Sequence, residues 1–258
     1  MSVEQDELEQ GERTDAAQPL AIGEFRWHVL ADWQELLLGP QGLRLAEWLD
    51  RGHAKIVKHG PHRTVYRVDL AHRAFFVKQY RCPDWRDSGR HLVRASASQR
   101  EYQRTVEVSR RRVPTVTPVA VGERWRHGVI GENFLVTEAI PEACSLEEYL
   151  CERLPQLPPA GQAAMRRKLT KSLARLCAAS HRAGVFHDDL HTSNVLLRLD
   201  TCHAAADDDR LPELHLIDLA GARLSGPLGW RLSRSSLVML GAAWRRHASQ
   251  ADHWRFWR

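Results

Sequence analysis

One polar loop constrains this chain more than any other feature. Val185-Phe186-His187-Asp188-Asp189-Leu190-His191-Thr192-Ser193-Asn194-Val195-Leu196-Leu197 passes from an apolar pair through charged residues into an apolar run. A second apolar stretch, Leu216-Ile217-Asp218-Leu219, places another acid 24 residues after Asn194. In phosphoryl transfer the protein mainly positions groups and neutralises charge. It needs one carboxylate to orient and deprotonate the accepting hydroxyl, and oxygen ligands for Mg²⁺. An H-x-D-x-x-x-x-N loop offers the carboxylate of Asp189 and the amide oxygen of Asn194, and a strand ending in Asp218 offers the second carboxylate. Leu190 and Val195 would pin the loop to the core. His187 reads as a prop for the loop.

The stretch before this loop reads as strands. Polar, acidic residues 1–20 read as a disordered leader, with order beginning near Ile22. DWQELLLGPQGLRLAEWLD is helix-like. HAKIVKHGPHRTVYRVDL alternates as two strands around Gly60-Pro61, and RAFFVKQYR is a third strand carrying Lys78. Residues 86–112, rich in Arg, Ala, Gln and Glu, have helix composition and include Glu101. Strand candidates follow at Val119–Trp125 and Asn133–Ala139. Three strands, a helix and two strands predict a small antiparallel sheet with one helix over residues 21–140. From Ile140-Pro141 onward helices dominate. SLEEYL precedes a long helix from about Pro159 to Ala183, with Leu169, Leu173, Leu176, Cys177 and Ser180 at helical spacing and Gly184 as its C-cap. Residues 198–213 read as a loop, and the tail from Leu232 to Arg258 as helical. The fold class is therefore α+β, with a mainly helical part over residues 141–258.

These residues carry a family resemblance. FFVKQYR, ASQREYQRTVEVSRRRVPTVTPVAVGE, VFHDDLHTSNVLL and LHLIDL together resemble the lipopolysaccharide core kinases, the Kdo/heptose kinase family of the WaaP/InaA type. The likeness runs from about Val65 to the C-terminus. It implies a two-lobed protein-kinase-like fold: an N-lobe sheet with one helix and a compact helical C-lobe. It also implies that Lys78 contacts the ATP phosphates with Glu101 as its partner, although Glu107 lies on the same helix. Glu138 and Ile140 would offer hinge backbone to adenine. Asp189 would be the base, with Asn194 and Asp218 on Mg²⁺. The acceptor would be a heptose or Kdo hydroxyl of lipopolysaccharide core. The chain departs from the kinase pattern in three places. Lys58-His59-Gly60-Pro61-His62-Arg63 stands where a glycine-rich loop is usual, and Asp218-Leu219-Ala220 has its glycine only at Gly221. Only 40 residues follow Asp218, too few for a long activation segment.

Composition narrows the remaining classes. Apolar residues make up 43% and charged residues 27%, an ordinary globular balance, and the formal charge is +5. Five cysteines with no C-x-x-C pair argue against a disulfide framework and point to a cytoplasmic location. The N-terminus lacks signal-peptide character, and no apolar run is long enough to span a membrane. Arg100, Arg104, Arg110, Arg111 and Arg112 form either a phosphate or membrane-surface patch or a solvated helix face. Peripheral contact with the inner face of the inner membrane would suit a glycolipid substrate. Nucleic acid is not an expected partner, and oligomeric state stays open. His191 either reaches the γ-phosphate or faces solvent. The histidines at 181, 187, 191, 203 and 215 have no zinc-ligand spacing. The late tryptophans 244, 254 and 257 suit core or interfacial packing. The competing readings are a small-molecule or protein kinase of the same fold, and a silent pseudokinase acting as a binding module. The complete Lys78, Asp189, Asn194 and Asp218 set weighs against the last.

Overall fold

The computed structural model describes residues 17–81, 95–202 and 210–257. Most of the expected leader, residues 86–94 of the expected helix, Cys82 and His203 lie outside the described residues. The chain is of mixed α and β structure and divides into two units. One is Met1–Tyr102 with Pro118–Glu138, and the other is Gln103–Thr117 with Ala139–Arg258.

The first unit is built on one antiparallel sheet. Strands β1 (Gln18–Ile22) and β2 (Phe25–Val29) form a hairpin. Helix α1 (Ala31–Leu37), a short hairpin of β3 (Leu38–Gly39) and β4 (Gly42–Leu43), and helix α2 (Leu45–Asp50) follow. Next come β5 (Ala54–His59), β6 (Arg63–Asp69), β7 (Ala74–Tyr80), helix α3 (Ala97–Arg110), β8 (Pro118–Arg126) and β9 (Val129–Glu138). The strand order is β1-β2-β8-β9-β7-β6-β5. Seven strands replace the expected five, and the first lies where a disordered leader was expected. That strand is outermost and mostly exposed, so its sequence shows no clear alternation between core and solvent. The helix-like stretch 32–50 is interrupted because Pro40 has no N–H to donate and Gly42 takes a φ of +102°, which other residues resist.

Packing explains why the sheet forms. Phe75 and Val77 of β7 point to the face covered by α1 and α2. There the rings of Trp33 and Trp48 meet Phe75 edge-on, at 5.7 and 5.1 Å. Burying each such side chain stabilises by roughly 1.5–3 kcal/mol. Trp27 of β2 lies across Gly122 of β8, and a Cβ on Gly122 would sit 2.4 Å from the indole. Because side chains alternate along a strand, Phe76, Lys78 and Tyr80 are left on the opposite face of β7.

The second unit begins with the last turns of α3, from Gln103. It continues with β10 (Ala143–Ser145) and α4 (Leu146–Glu148), which winds on as a π-helical turn through Arg153. The long helix α5 (Pro159–Arg182) buries Met165, Leu169, Leu173, Leu176, Cys177 and Ser180, the stripe legible in its 3.6-residue period. Gly184 ends it at φ +72°, and a Cβ there would lie 2.1 Å from the Ser225 carbonyl oxygen. Arg111 donates to the carbonyls of Ala183 and Ser225 at 2.8 and 2.6 Å, satisfying the end of this helix. Arg111 is therefore structural. Then follow β11 (Val185–Phe186), β12 (Val195–Arg198), β13 (Leu214–Leu216), β14 (Arg223–Leu224), α6 (Trp230–Trp244) and α7 (Gln250–Phe256). Strands β10, β12 and β13 form a three-stranded sheet, and β11 pairs with β14. Trp244 is buried, whereas Trp254 and Trp257 are 72% and 60% exposed, so only the first is core.

Candidate active site

In the first unit the alternation of β7 delivers Lys78 and Tyr80 to the same carboxylate. Lys78 Nζ donates to Oε1 of Glu101 on α3, and the Tyr80 hydroxyl donates to Oε2. Glu101 is 2% exposed. A buried carboxylate is stable only if its oxygens are satisfied, and here both oxygens accept a hydrogen bond. Burial, and then the negative charge of Glu101, push the Tyr80 phenol well above its ordinary pKa, so it stays a donor. The structure brings together Lys78 and Glu101 as expected and adds Tyr80. Its position two residues after Lys78, on the same strand face, was the available signal. Glu138 is the exposed last residue of β9, paired in register with Phe75. Ile140 is half-buried in the second unit.

In the second unit the polar loop is held from both ends. His187 is 2% exposed; its Nδ1 accepts from the Asp189 backbone N–H at 3.2 Å. That fixes the tautomer, and Nε2–H donates to the Ile217 carbonyl at 2.9 Å. The Ile217 N–H returns to the Asn194 carbonyl at 3.0 Å. Thus His187, Asn194 and the residue preceding Asp218 form one hydrogen-bonded group. β12 and β13 continue it by pairing Val195 with Leu216. Pro114 and Thr115, from the V-P-T run, brace β13: the Leu216 N–H donates to the Pro114 carbonyl at 2.9 Å, and the Thr115 hydroxyl donates to the Leu216 carbonyl at 2.7 Å.

Asn194 is oriented by its neighbours. Its Nδ2 donates to the Asp189 carbonyl at 2.9 Å and lies 3.3 Å from the Asp189 carboxylate. Two acceptors on one side identify that atom as the amide nitrogen, which leaves the amide oxygen for a cation. The Asp189 side chain itself is 72% exposed. The Nε2 of His191 lies 3.3 Å from the Asp189 carboxylate and 3.0 Å from Asn194 Nδ2. Asp218 lies two residues beyond the end of β13, not within a strand, and takes a left-handed φ of 58°. A non-glycine residue there is uncommon and concentrates at functional sites. The donor set of one amide oxygen and one carboxylate suits Mg²⁺, which binds oxygen ligands and retains waters. Two further contacts had no sequence signal. Gly221 closes on Asp188, and the Thr192 hydroxyl donates to Oε2 of Glu147.

A lysine–glutamate pair on a strand and helix, together with an H-x-D…N loop bonded to a strand ending next to an aspartate, is the residue set of a kinase. Residues 51–258 match the lipopolysaccharide kinase (Kdo/WaaP) family, and the chain belongs to that family. It is 31% identical over 183 residues to the lipopolysaccharide core heptose(I) kinase WaaP of Pseudomonas aeruginosa. That match covers 69% of this chain and 66% of the relative, just under two thirds of its length. The Escherichia coli WaaP is 26% identical over 75% of this chain and 72% of its own. A solved structure of WaaP in complex with acyl carrier protein shares the fold, with a TM-score of 0.62, 24% identity, and coverage of 90% of this chain and 87% of that one. The family and the kinase class are those the sequence led us to expect. No helix among the described residues is long and apolar enough to cross a membrane.

Proposed function

We propose that this chain transfers the γ-phosphate of ATP to a sugar hydroxyl, a heptose or Kdo, of lipopolysaccharide core, using a two-lobed protein-kinase-like fold. The observation that carries the reading is the Asp189–Asn194 hydrogen bond, in a loop tied through Ile217 to Asp218. Asp189 orients the acceptor hydroxyl and takes its proton as the new P–O bond forms. Its exposure lets the substrate reach it, and Asn194 and His191 limit its rotation. Lys78, held straight by Glu101, neutralises phosphate oxygens of ATP, and the backbone of Glu138 and Ile140 receives adenine. Asn194 and Asp218 would hold Mg²⁺, which supplies charge neutralisation at the transferring phosphoryl group. The substrate is a glycolipid precursor, so the reading includes a cytoplasmic location and peripheral contact at the inner face of the inner membrane. The solved relative's partner, an acyl carrier protein, is a candidate partner here too.

The test is incubation of the purified chain with γ-labelled ATP and a panel of heptose-containing cores, Kdo-containing cores, free sugars and generic proteins. Label on a core sugar supports the reading. Label on protein or small molecules alone would replace it with one of the competing acceptors.

A further inference from the structure

The second unit contains a cluster that the kinase reading does not use. Glu147 and Cys151, one turn apart at the start of the α4 segment, face His247, which follows the end of α6. One donor atom from each, a carboxylate oxygen, Sγ and a ring nitrogen, lies within 4.8 Å of the other two. The Cys151 Sγ is 3.9 Å from Glu147 Oε1, and His247 Nε2 is 3.7 Å from the same oxygen. Bonds of about 2.0–2.1 Å to nitrogen or oxygen and 2.3 Å to sulfur, at tetrahedral angles, set ligand atoms about 3.3–3.6 Å apart. The two spacings to Glu147 Oε1 are a few tenths of an ångström wider than that, and the cysteine and histidine atoms lie within 4.8 Å of each other, so binding would draw the three ligands slightly inward. None of the three belongs to the histidine set that sequence spacing brought into view, because they come from stretches nearly a hundred residues apart.

Two further observations point to a ligand. His247 Nε2 is buried and has no hydrogen-bond partner, since 3.7 Å to the carboxylate is too long for one. A buried ring nitrogen left in that condition is costly, and a cation between it and the carboxylate would satisfy both. In addition, Glu147 is already oriented as metal-bound carboxylates are. Its Oε2 accepts from the Thr192 hydroxyl, which leaves Oε1 facing the cysteine and histidine. We propose that Glu147, Cys151 and His247 form a binding site for Zn²⁺, with the fourth position open to water. A thiolate with an imidazole selects zinc over magnesium, which prefers oxygen ligands alone. The thiolate and carboxylate together neutralise the ion. Through the Thr192 bond, the site is anchored to the loop that carries Asp189 and Asn194.

The test uses the full chain with Mg²⁺ in excess, so that oxygen-only sites are filled. Zinc is titrated against a chromophoric chelator, and cobalt is followed by its near-ultraviolet thiolate charge-transfer band. The expected result is one equivalent of zinc, a cobalt–thiolate band, and a zinc-dependent rise in Tm. In Cys151→Ser and His247→Gln the band should vanish or move and zinc affinity should fall at least about tenfold, since even a group that only supports a ligand is worth that much. Cys151 is exposed, so Cys151→Ser should melt like the wild type without zinc. Absence of stoichiometric zinc binding overturns the proposal, as does binding unchanged in both variants.

Discussion

Gly221 packs its Cα against the carboxylate of Asp188, so closely that a Cβ would lie 1.9 Å from Oδ2. The contact joins the loop before Asp189 to the turn after Asp218. Gly221→Ala must displace the Asp188 carboxylate from this contact. The expected outcome is a fall in phosphotransfer of about tenfold or more from misplacement of the reacting groups, with little change in Tm. Kinetics and thermal melting of the same preparation check this. Unchanged kcat would show that the close approach is incidental.

Lys78, Tyr80 and Glu101 act as a unit, so their effects should not add. Lys78→Ala leaves a buried carboxylate with one partner fewer and should destabilise by about 3–5 kcal/mol, besides removing activity. Tyr80→Phe removes a neutral donor to the same buried carboxylate and should cost about 1–3 kcal/mol. Lys78→Met combined with Glu101→Gln should cost less than the sum of its single changes. Urea unfolding of the full set measures the coupling.

Asp189 and Asp218 should fail differently. Asp189→Asn keeps a hydrogen-bonding side chain but cannot take a proton, so transfer should drop by roughly 10²–10⁴-fold while nucleotide still binds. Asp218→Ala should weaken Mg·ATP binding itself. Nucleotide titration alongside turnover separates the two. Turnover within tenfold of wild type in Asp189→Asn would remove it as the base.

Acid should loosen the last helix. Burial raises the pKa of Asp252, but hydrogen bonds from Ser249 and the Arg255 guanidinium more than offset it, so the net shift is below the ordinary value of 3.8. The folded state therefore favours the charged form. Its contribution is present above pH 3.8 and is lost as pH falls through the lowered folded value. Asp252 also completes the capping box of α7 with Ser249. Asp252→Asn should cost about 1 kcal/mol at neutral pH, the order of one hydrogen bond, and nothing in strong acid. Tm measured against pH, for both forms, tests the sign.

The loop geometry was legible because it depends on local spacing. His187, Asp189 and Asn194 lie within one turn of chain, and strand alternation puts Lys78 and Tyr80 on one face. Pairing of distant residues was not legible. Glu101 could not be separated from Glu107 by composition, and only burial against β7 distinguishes them. In the β1–β2 hairpin, β1 escaped notice because an exposed edge strand shows no core face, whereas β2 does alternate, burying Trp27 and Val29, but is only five residues long. The Glu147–Thr192 bond and the Gly221–Asp188 approach join residues whose separation in sequence leaves no periodic trace.

The β12–β13 ladder pairs Val195 with Leu216, and Ile217 bonds back to Asn194, so Asn194 and Asp218 are both held at the same end of that pair. A proline within the ladder would disturb both.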